Sequence, residues 1–298
     1  MLEDRVAEKQ EVTLNNGIRM PLLGLGVFKC LPGEETERVV RDGLEVGYRL
    51  IDTARYYANE RDVGRALRVS GLPRDQVFIT TKLHHSDLGY DSTLRAFDAS
   101  LKELGLDYVD LYLVHWPLKS WRFYNSLSKI VLNRLDWQVR MRSKTWRAME
   151  RILADGRCRA IGVSNYTIRH LQELLSIASV IPAVNQVEFT PFCNQRELLQ
   201  FCSLHGIRLE AYSPLTRGNQ LHNPALLLLA SKYHRSTAQL LIRWALQQKV
   251  IAIPKACSVQ HLTENFEVFD FTISAEDMES LNRLNENVHY CWDPSDIP

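Results

Sequence analysis

The fold is decided by residues 77–116, which read VFITTKLHHSDLGYDSTLRAFDASLKELGLDYVDLYLVHW. The two ends of this stretch, VFITTK and VDLYLVHW, are short apolar runs of the kind that form strands. Between them, STLRAFDASLKELGL carries apolar residues at every third or fourth position, as in a helix, and ends near a glycine. Near-continuous apolar strands are typical of a parallel sheet covered on both faces. The stretch therefore predicts a strand–helix–strand unit.

The same alternation of short apolar runs and helical patterns extends along the rest of the chain. Eight units in series close naturally into a (β/α)8 barrel, the TIM-barrel fold of the α/β class, with a doubly wound open sheet as the alternative. No linker interrupts the pattern, so residues 1–298 are expected to form a single domain. The candidate strands are residues 22–27, 49–54, 77–82, 109–116, 159–165, 183–189, 208–214 and 250–255.

A short segment before the first strand has a different pattern. Residues 11–21, EVTLNNGIRMP, place an Asn-Gly pair between alternating residues. Asn-Gly favours the tight turn of a two-stranded hairpin. We therefore expect an N-terminal β-hairpin that caps the bottom of the barrel.

Composition excludes several classes of protein. The 298 residues include 36 basic and 35 acidic side chains, and this balance argues against nucleic acid as a partner. The six cysteines show no CxxC spacing, so we expect free thiols in a reducing compartment. The charged N-terminus and the lack of an apolar run of about 20 residues predict a cytoplasmic protein with no integral membrane segment.

Polar residues stand at the C-terminal end of nearly every predicted strand, where a barrel builds its active site. Taken singly each has an ordinary explanation: Asp52 could cap a helix, Lys82 could reach solvent, and His115 could be a packed core residue. Together they would repel or stay unpaired unless they formed a network. The strand-end residues are Asp52, Lys82, His115, Ser164, Asn165, Gln186, Glu188, Tyr212, Ser213 and Lys255.

The residue types in this network suit proton delivery to a carbonyl. A tyrosine is a weak acid near neutral pH, and an adjacent ammonium such as that of Lys82 is expected to lower its pKa. Asp52 would hold and partly neutralise the lysine, and a neutral His115 could orient a carbonyl oxygen by hydrogen bonding. This combination predicts a general acid beside a polarised carbonyl, which suits reduction by hydride.

The chain resembles the aldo-keto reductase family over nearly its whole length. The matching motifs, in order, are DTARYYANE (52–60), ITTKL, LYLVHWP, AIGVSNY, NQVEFTPF, AYSPL and IPKACSVQHLTEN. The resemblance implies a catalytic tetrad of Asp52, Tyr57, Lys82 and His115. Tyr57 would be the general acid, and Tyr56 would be a packing residue.

The resemblance also implies a nicotinamide cofactor, with NADP(H) expected first and NAD(H) as a second possibility. By motif position, Ser164, Asn165 and Gln186 would bind the carboxamide and Tyr212 would stack on the nicotinamide ring. The remaining implied contacts are Ser213 and Leu215 at the pyrophosphate, Lys255 near the 2′-phosphate, and Glu264 and Asn265 at the adenine. No GxGxxG or Walker pattern is present, so this prediction depends on the family.

The 2′-phosphate region departs from the family pattern. NADPH-preferring relatives usually have a hydroxyl after the strand-eight lysine and an arginine six residues after it, but this chain has Ala256 and His261. Histidine is only partly charged at neutral pH and lacks the rigid fork with which arginine binds phosphate. We therefore expect a smaller preference for NADPH over NADH than is usual in the family.

The segment from Pro117 to Trp146 fits the family's substrate loop after strand four, but it is unusually basic. Its acid is Asp136. The simpler interpretation is a lid that packs its apolar side on the barrel. The alternative is that its basic face attracts anionic substrates or an anionic membrane surface. The basic residues are Lys119, Arg122, Lys129, Arg134, Arg140, Arg142 and Lys144.

Family positions also indicate a substrate pocket of Phe28, Trp116, Tyr290 and Trp292. Such an aromatic wall predicts an apolar or aromatic carbonyl substrate. The predicted function is reversible NAD(P)H-dependent reduction of aldehydes and ketones by a monomer.

Two alternatives remain open. One is a non-enzymatic, cofactor-binding or crystallin-like role on the same fold. The other is a metal-dependent hydrolase that uses His84, His85 and His115, although adjacent histidines on a continuing strand would face opposite sides. We expect no metal site.

Overall fold

The computed structural model describes residues 10–118 and 131–298, with the backbone alone described for residues 131–136. Lys119, Arg122 and Lys129 of the predicted basic loop lie outside the described residues. The side chain of Arg134 lies outside them too. Within the described ranges, no helix combines the length and apolar composition needed to cross a membrane.

Eight parallel strands form the predicted (β/α)8 barrel, each paired with its neighbour in sequence order. The ring closes between its first and last strands, where Leu23 bridges Ala252 and the Gly24 amide donates to the Ala252 carbonyl at 2.9 Å. The strands are β3 (Leu25–Gly26), β4 (Leu50–Asp52), β5 (Phe78–Leu83), β6 (Val109–Val114), β7 (Cys158–Ser164), β8 (Val184–Glu188), β9 (Arg208–Tyr212) and β10 (Ile251–Ile253).

Gly26 allows the closing strands to approach each other. A Cβ added at this position would lie 2.9 Å from the Ile253 carbonyl oxygen, which is too close for any side chain. The Gly26 amide instead donates to the Pro254 carbonyl at 3.1 Å. Strand β3, which is only two residues long, therefore meets the end of β10 through backbone contacts.

The predicted hairpin is confirmed as β1 (Glu11–Thr13) paired antiparallel with β2 (Arg19–Pro21). Its turn lies at the N-terminal end of the barrel. There the Asn16 side chain donates to the Arg159 carbonyl at 2.9 Å and that of Asn15 to the Pro182 carbonyl at 3.0 Å. The hairpin thus caps the end of the barrel opposite to the strand ends that carry the polar residues.

Ten α-helices are described around the barrel. Several end at a residue in the left-handed conformation that glycine adopts without strain, such as Gly71 and Gly105. The helices are α1 (Glu34–Val46), α2 (Glu60–Ser70), α3 (Tyr90–Leu104), α4 (Val131–Ala154), α5 (Ile168–Leu175), α6 (Arg196–Leu204), α7 (Pro224–Lys232), α8 (Thr237–Gln247), α9 (Val259–Phe266) and α10 (Ala275–Asn282).

Helix α4 corrects the predicted boundary of the substrate loop. The segment assigned to the substrate loop extends to Trp146, but the helix already begins at Val131. Its buried side is partly polar, because Gln138 and Arg142 are 4% and 2% exposed.

The barrel interior changes from apolar to polar along the strands. Near the hairpin it is filled by a cluster that includes Leu50, Phe78, Leu111, Val184 and Ile251. Side chains alternate along a strand, so the residues two positions further on share the same face. On β4 that residue is the buried Asp52 and on β8 it is the buried Gln186, which brings the polar residues together at the C-terminal end.

Candidate active site

A cavity of about 1240 Å³ opens at the C-terminal ends of the strands. This volume exceeds the range of roughly 300–1,000 Å³ typical of small-molecule pockets, so an extended ligand fits. Most of the residues predicted for the site line it. They are Phe28, Asp52, Tyr57, His115, Trp116, Asn165, Gln186, Tyr212, Ser213, Leu215, Lys255, His261, Glu264, Asn265 and Trp292.

Lys82 lies directly beneath the cavity and is fully buried. Its ammonium donates to Asp52 Oδ1 at 2.6 Å, to the Thr53 carbonyl at 3.0 Å and to the Tyr57 hydroxyl at 3.1 Å. Three acceptors match the three protons of the ammonium. Asp52 therefore serves the lysine and does not cap a helix; the N-cap of α2 is Asn59.

Tyr57 ends a short 3-10 turn, Arg55–Tyr57, that follows β4. The expectation that Lys82 lowers the pKa of Tyr57 is wrong for the protein alone. Burial raises the pKa of Tyr57 well above its ordinary value, and the charges of Asp52 and Glu210 raise it further. The main physical reason is burial, and the carboxylate of Asp52, 2.6 Å from the ammonium, opposes the effect of the lysine. Tyr57 is therefore held firmly protonated.

His115 follows β6, and its ring centroid lies 5.7 Å from that of Tyr57. Burial lowers the pKa of His115 well below its ordinary value, and the positive charge of Lys82 lowers it further. The imidazole is therefore neutral, as the sequence analysis predicts. A neutral ring can orient a carbonyl oxygen without adding a second positive charge to the site.

Tyr56 and His85 lie at the outer rim of the cavity, and His84 lies beside them. Tyr56 is 57% exposed, and its ring packs against those of His84, His85 and His115 at centroid distances of 5.4, 6.3 and 6.2 Å. His84 and His85 do not face opposite sides of a strand, because β5 ends at Leu83 and their rings stack with centroids 4.1 Å apart. Tyr56 and His85 both line the cavity, although the sequence analysis did not include them among the pocket residues.

A metal centre built on these histidines is not supported. Within the described ranges, the cluster of three ligand-type side chains whose ligand atoms lie within 4.8 Å of one another is Cys30, Glu35 and Cys257. None of the three histidines belongs to that cluster. The described cysteines are free thiols, most of them buried, as predicted.

Amide and hydroxyl groups form the floor beside the tetrad. The Asn165 amide donates to the His115 carbonyl at 2.9 Å, and its oxygen accepts from the Tyr212 hydroxyl at 2.8 Å. Ser164 is buried and donates to the Gln186 carbonyl at 2.9 Å. Ser164 is not among the cavity-lining residues, so it supports Gln186 and Asn165 from behind, in contrast to its predicted contact with a ligand.

Gln186 connects the tetrad to a carboxyl group that the sequence analysis missed. Its Nε2 donates to Asp52 Oδ2 at 2.8 Å and to Glu210 Oε2 at 2.9 Å. Both amide protons are thereby used, which leaves the carbonyl oxygen for any ligand. Glu210 lies in the middle of β9 and is fully buried. An acid inside an apolar strand, two residues before Tyr212 and on the same face, is the sequence signal that could have identified it.

The far end of the cavity is basic. The Lys255 ammonium donates to the Lys29 carbonyl at 2.8 Å, so the loops after β3 and β10 meet there. Lys29, Arg217 and Arg235 also line the cavity, and the sequence analysis included none of them. Arg235 pairs with Asp270 at 2.6 Å and is partly neutralised.

Two helix N-termini face the same end of the cavity. Ser236 caps α8 and lines the cavity together with Thr237 and Ala238. Ser258 caps α9, and His261 in the first turn of that helix lies at the cavity wall. Helix N-termini and basic side chains favour an anionic ligand group.

Aromatic side chains enclose the end nearest to Tyr57. The Phe28 ring lies 4.9 Å from that of Tyr57, and the Trp116 and Trp292 rings lie 4.7 Å apart. Tyr290 departs from its predicted place in the pocket. It is not among the lining residues, and its hydroxyl accepts from Gln220 Nε2 at 2.7 Å.

Arg142 departs from its predicted place on a basic surface. Its guanidinium binds both carboxylate oxygens of Glu173, at 2.7 and 2.6 Å, and donates to the carbonyls of Pro117 and Pro298. Arg142 therefore joins three separate parts of the chain. The nearby Arg140 and Lys144 are exposed, so within the described part of α4 the basic surface is smaller than predicted.

Comparison with known proteins agrees with this geometry. Residues 23–286 match the model of the aldo/keto reductase family. Glyoxal reductase of Bacillus subtilis is 43% identical over 97% of this chain and 98% of its own length. Morphine 6-dehydrogenase of Pseudomonas putida is 43% identical over 96% and 95%. An aldo-keto reductase of Bombyx mori, crystallised with NADP, superposes with a TM-score of 0.84 at 32% identity and 94% coverage of each chain.

The chain therefore belongs to the aldo/keto reductase family of oxidoreductases. The match spans all eight strands of the barrel and the polar residues at their ends.

Proposed function

We propose that this protein catalyses the reversible reduction of aldehydes and ketones to alcohols with NADPH, and that Tyr57 is the general acid. The observation that carries this proposal is the position of the buried Lys82 ammonium, 2.6 Å from Asp52 and 3.1 Å from the Tyr57 hydroxyl, beneath a large cavity. Membership of the aldo/keto reductase family supports the reaction class.

The cavity fits a dinucleotide cofactor on the grounds of its size and polarity. Asn165, Gln186 and Tyr212 would hold the nicotinamide end. The basic end, with Lys255 and His261, would hold the phosphorylated adenosine. Ser213 and Leu215 would meet the pyrophosphate, and Glu264 and Asn265 would meet the adenine. When bound, NADPH supplies the hydride.

The side chains of the tetrad perform the proton transfer. His115, being neutral, orients the carbonyl oxygen toward the Tyr57 hydroxyl. As negative charge develops on that oxygen, Tyr57 donates its proton. A phenol remains a much stronger acid than an alcohol even when burial raises its pKa, so the transfer is favourable. The tyrosinate that remains is stabilised by the Lys82 ammonium, which Asp52 keeps in place.

The shape of the cavity near Tyr57 supports an apolar or aromatic carbonyl substrate. Phe28, Trp116 and Trp292 provide flat apolar surfaces that select by shape. His85 adds a neutral polar group at the rim, because burial lowers its pKa to about 4. A carbonyl compound with one further hydrogen-bonding group would use both features.

The proposal is tested by NADPH oxidation with a panel of aromatic and aliphatic aldehydes, for the wild type and for Tyr57→Phe. We expect activity in the wild type and a nearly complete loss in the variant. A wild type that binds NADPH but reduces no aldehyde in the panel would favour a non-enzymatic, cofactor-binding role instead.

A further inference from the structure

Glu210 is a buried acid that the proposed proton transfer does not use. Its Oε2 accepts from Gln186 at 2.9 Å, and its Oε1 has no hydrogen-bond partner among the described residues. A buried carboxyl group with one unsatisfied oxygen is costly, so its retention in the strand calls for a role.

Glu210 is the end of an unbroken chain of hydrogen bonds that crosses the barrel interior. Glu210 accepts from the Gln186 amide, and the same amide donates to Asp52 at 2.8 Å. Asp52 in turn accepts from Lys82 at 2.6 Å, and Lys82 donates to the Tyr57 hydroxyl at 3.1 Å. Each link joins a different strand or turn. A change at Glu210 therefore reaches the proton donor without contact between the two.

We propose that Glu210 is a positioning residue of the reaction, which acts through Gln186 to fix the amide beneath the nicotinamide and to set the charge of the Asp52–Lys82–Tyr57 network. This inference rests on the proposed function.

The first part of this role is orientation of the Gln186 amide. Asp52 and Glu210 both accept from Nε2, so a flipped amide would place its oxygen against two acceptors. Asp52 disfavours the flipped state, and Glu210 disfavours it further when its carboxyl is ionised, so the carbonyl oxygen is left to face the cavity. Without Glu210, one buried amide proton of Gln186 would lose its acceptor.

The second part of the role is electrostatic. On the two neighbouring strands, the residues in register with Glu210 are the uncharged Gln186 on β8 and the apolar Ile251 on β10. The charged groups that act on Glu210 are Asp52, which raises its pKa, and Lys82, which lowers it. Burial is the largest cause, and the pKa of Glu210 is raised to about 8.

Glu210 is therefore neutral near pH 6 and ionised near pH 9. In its neutral form, one carboxylate faces one ammonium in the network. In its ionised form a second negative charge is present, and this charge raises the pKa of Tyr57. A tyrosinate base, which oxidation of an alcohol requires, then forms less readily. Ionisation of Glu210 opposes the oxidative direction.

The decisive experiment compares alcohol oxidation with NADP⁺ and aldehyde reduction with NADPH at pH 6 and pH 9. Glu210→Gln keeps the size and offers an oxygen to Gln186 but cannot ionise. We expect this variant to match the wild type within about twofold at pH 6 and to oxidise alcohol roughly three- to tenfold faster at pH 9, because removal of one charge shifts the pKa of Tyr57 by up to about one unit.

Glu210→Leu tests the orientation of the amide separately. This variant removes the acceptor, and we expect the Kd for NADPH, measured by quenching of protein fluorescence, to rise about tenfold, as for an unpaired buried amide proton. Glu60→Gln is the matched control, because Glu60 is also a buried acid but binds Thr81 on the outer side of β5, away from this chain. It should leave both the pH dependence and the Kd unchanged.

The outcomes separate the two proposals. A wild type that is active, with a Glu210→Gln variant that matches it at both pH values and a Glu210→Leu variant that binds NADPH equally well, overturns the role of Glu210 alone. A Glu210→Gln variant that changes by the same factor at pH 6 and pH 9 reveals a purely structural effect and also overturns it. A wild type with no carbonyl reduction overturns the proposed function and this inference together.

Discussion

The Tyr57 hydroxyl and the Lys82 ammonium lie 3.1 Å apart, with the lysine fully buried and the tyrosine at the cavity surface. The lysine can therefore stabilise a tyrosinate as the proton leaves, but substrate does not reach the lysine itself. This relationship supports the proposal that Tyr57 donates the proton and that Lys82 supports the donor electrostatically.

Tyr57→Phe should lower kcat for aldehyde reduction by about 10²–10⁴-fold, the usual contribution of a general acid. The Kd for NADPH should change little, because the ring remains in place. Tyr56→Phe is the control, since Tyr56 is 57% exposed and does not contact Lys82 through a described hydrogen bond. Equal losses in the two variants would contradict the assignment of the acid.

Lys82→Met should destabilise the protein as well as inactivate it. The substitution leaves the buried Asp52 without its 2.6 Å partner, and breaking such a pair costs about 3–5 kcal/mol. Urea unfolding measures this loss. The double variant Lys82→Met with Asp52→Asn should recover part of the stability, because no charge is then stranded. A double variant as unstable as the sum of the two single variants would argue against a coupled pair.

His261→Arg should increase the preference for NADPH over NADH. Arginine would add a permanent charge and a bidentate donor near Lys255, at the basic end of the cavity. The measurement is the ratio of kcat/KM for the two cofactors. We expect the wild-type ratio to lie below about a thousandfold, since a larger value would require some 4 kcal/mol from the 2′-phosphate alone. His222→Arg, at another part of the same wall, is a suitable control.

Arg142→Gln should lower stability without a specific effect on anionic substrates. The variant loses the paired contacts with Glu173 and the links to Pro117 and Pro298, and we expect a cost of about 3 kcal/mol in urea unfolding. Lys144→Gln, on the exposed face of α4, should change stability by less than about 0.5 kcal/mol. A KM for a carboxylated aldehyde that rises at low salt in the Lys144 variant would instead support attraction of anionic substrates.

His170→Gln should protect the protein against acid. Burial and the charges of Arg142 and Arg169 lower the pKa of His170 from 6.5 to about 3. Between these pH values the unfolded chain binds a proton at this residue and the folded protein does not. The free energy of unfolding is therefore not reduced by His170 above pH 6.5, and it falls as the pH decreases below that value.

Glutamine is a suitable replacement because it is a usual partner in the capping box that His170 forms with Thr167 at the start of α5. The variant should match the wild type at pH 7.5 and exceed its stability by roughly 3 kcal/mol at pH 4. Parallel loss of stability in the two proteins between pH 7.5 and pH 4 would contradict this account.

The strands and most of the site could be predicted because their signals are local. Apolar runs mark the strands, and the tetrad residues follow them directly. Glu210 was missed because its role depends on a contact with Gln186 across two strands, and Arg142 because its three partners are far apart in the chain. Tyr290 and Ser164 lie next to site residues in sequence, but their hydroxyl groups are taken by protein partners.

The closure of the barrel has a consequence for synthesis on the ribosome. One edge of strand β3 pairs with β4 early in synthesis, but its other edge meets β10. The nearby contact between Lys255 and Lys29 spans 226 positions of the chain. At about 5–20 residues per second, that edge waits roughly 10–45 s for its partner to emerge. Because β3 is only Leu25–Gly26, the edge exposed during translation is very short, which limits the time-dependent risk of pairing with another nascent chain.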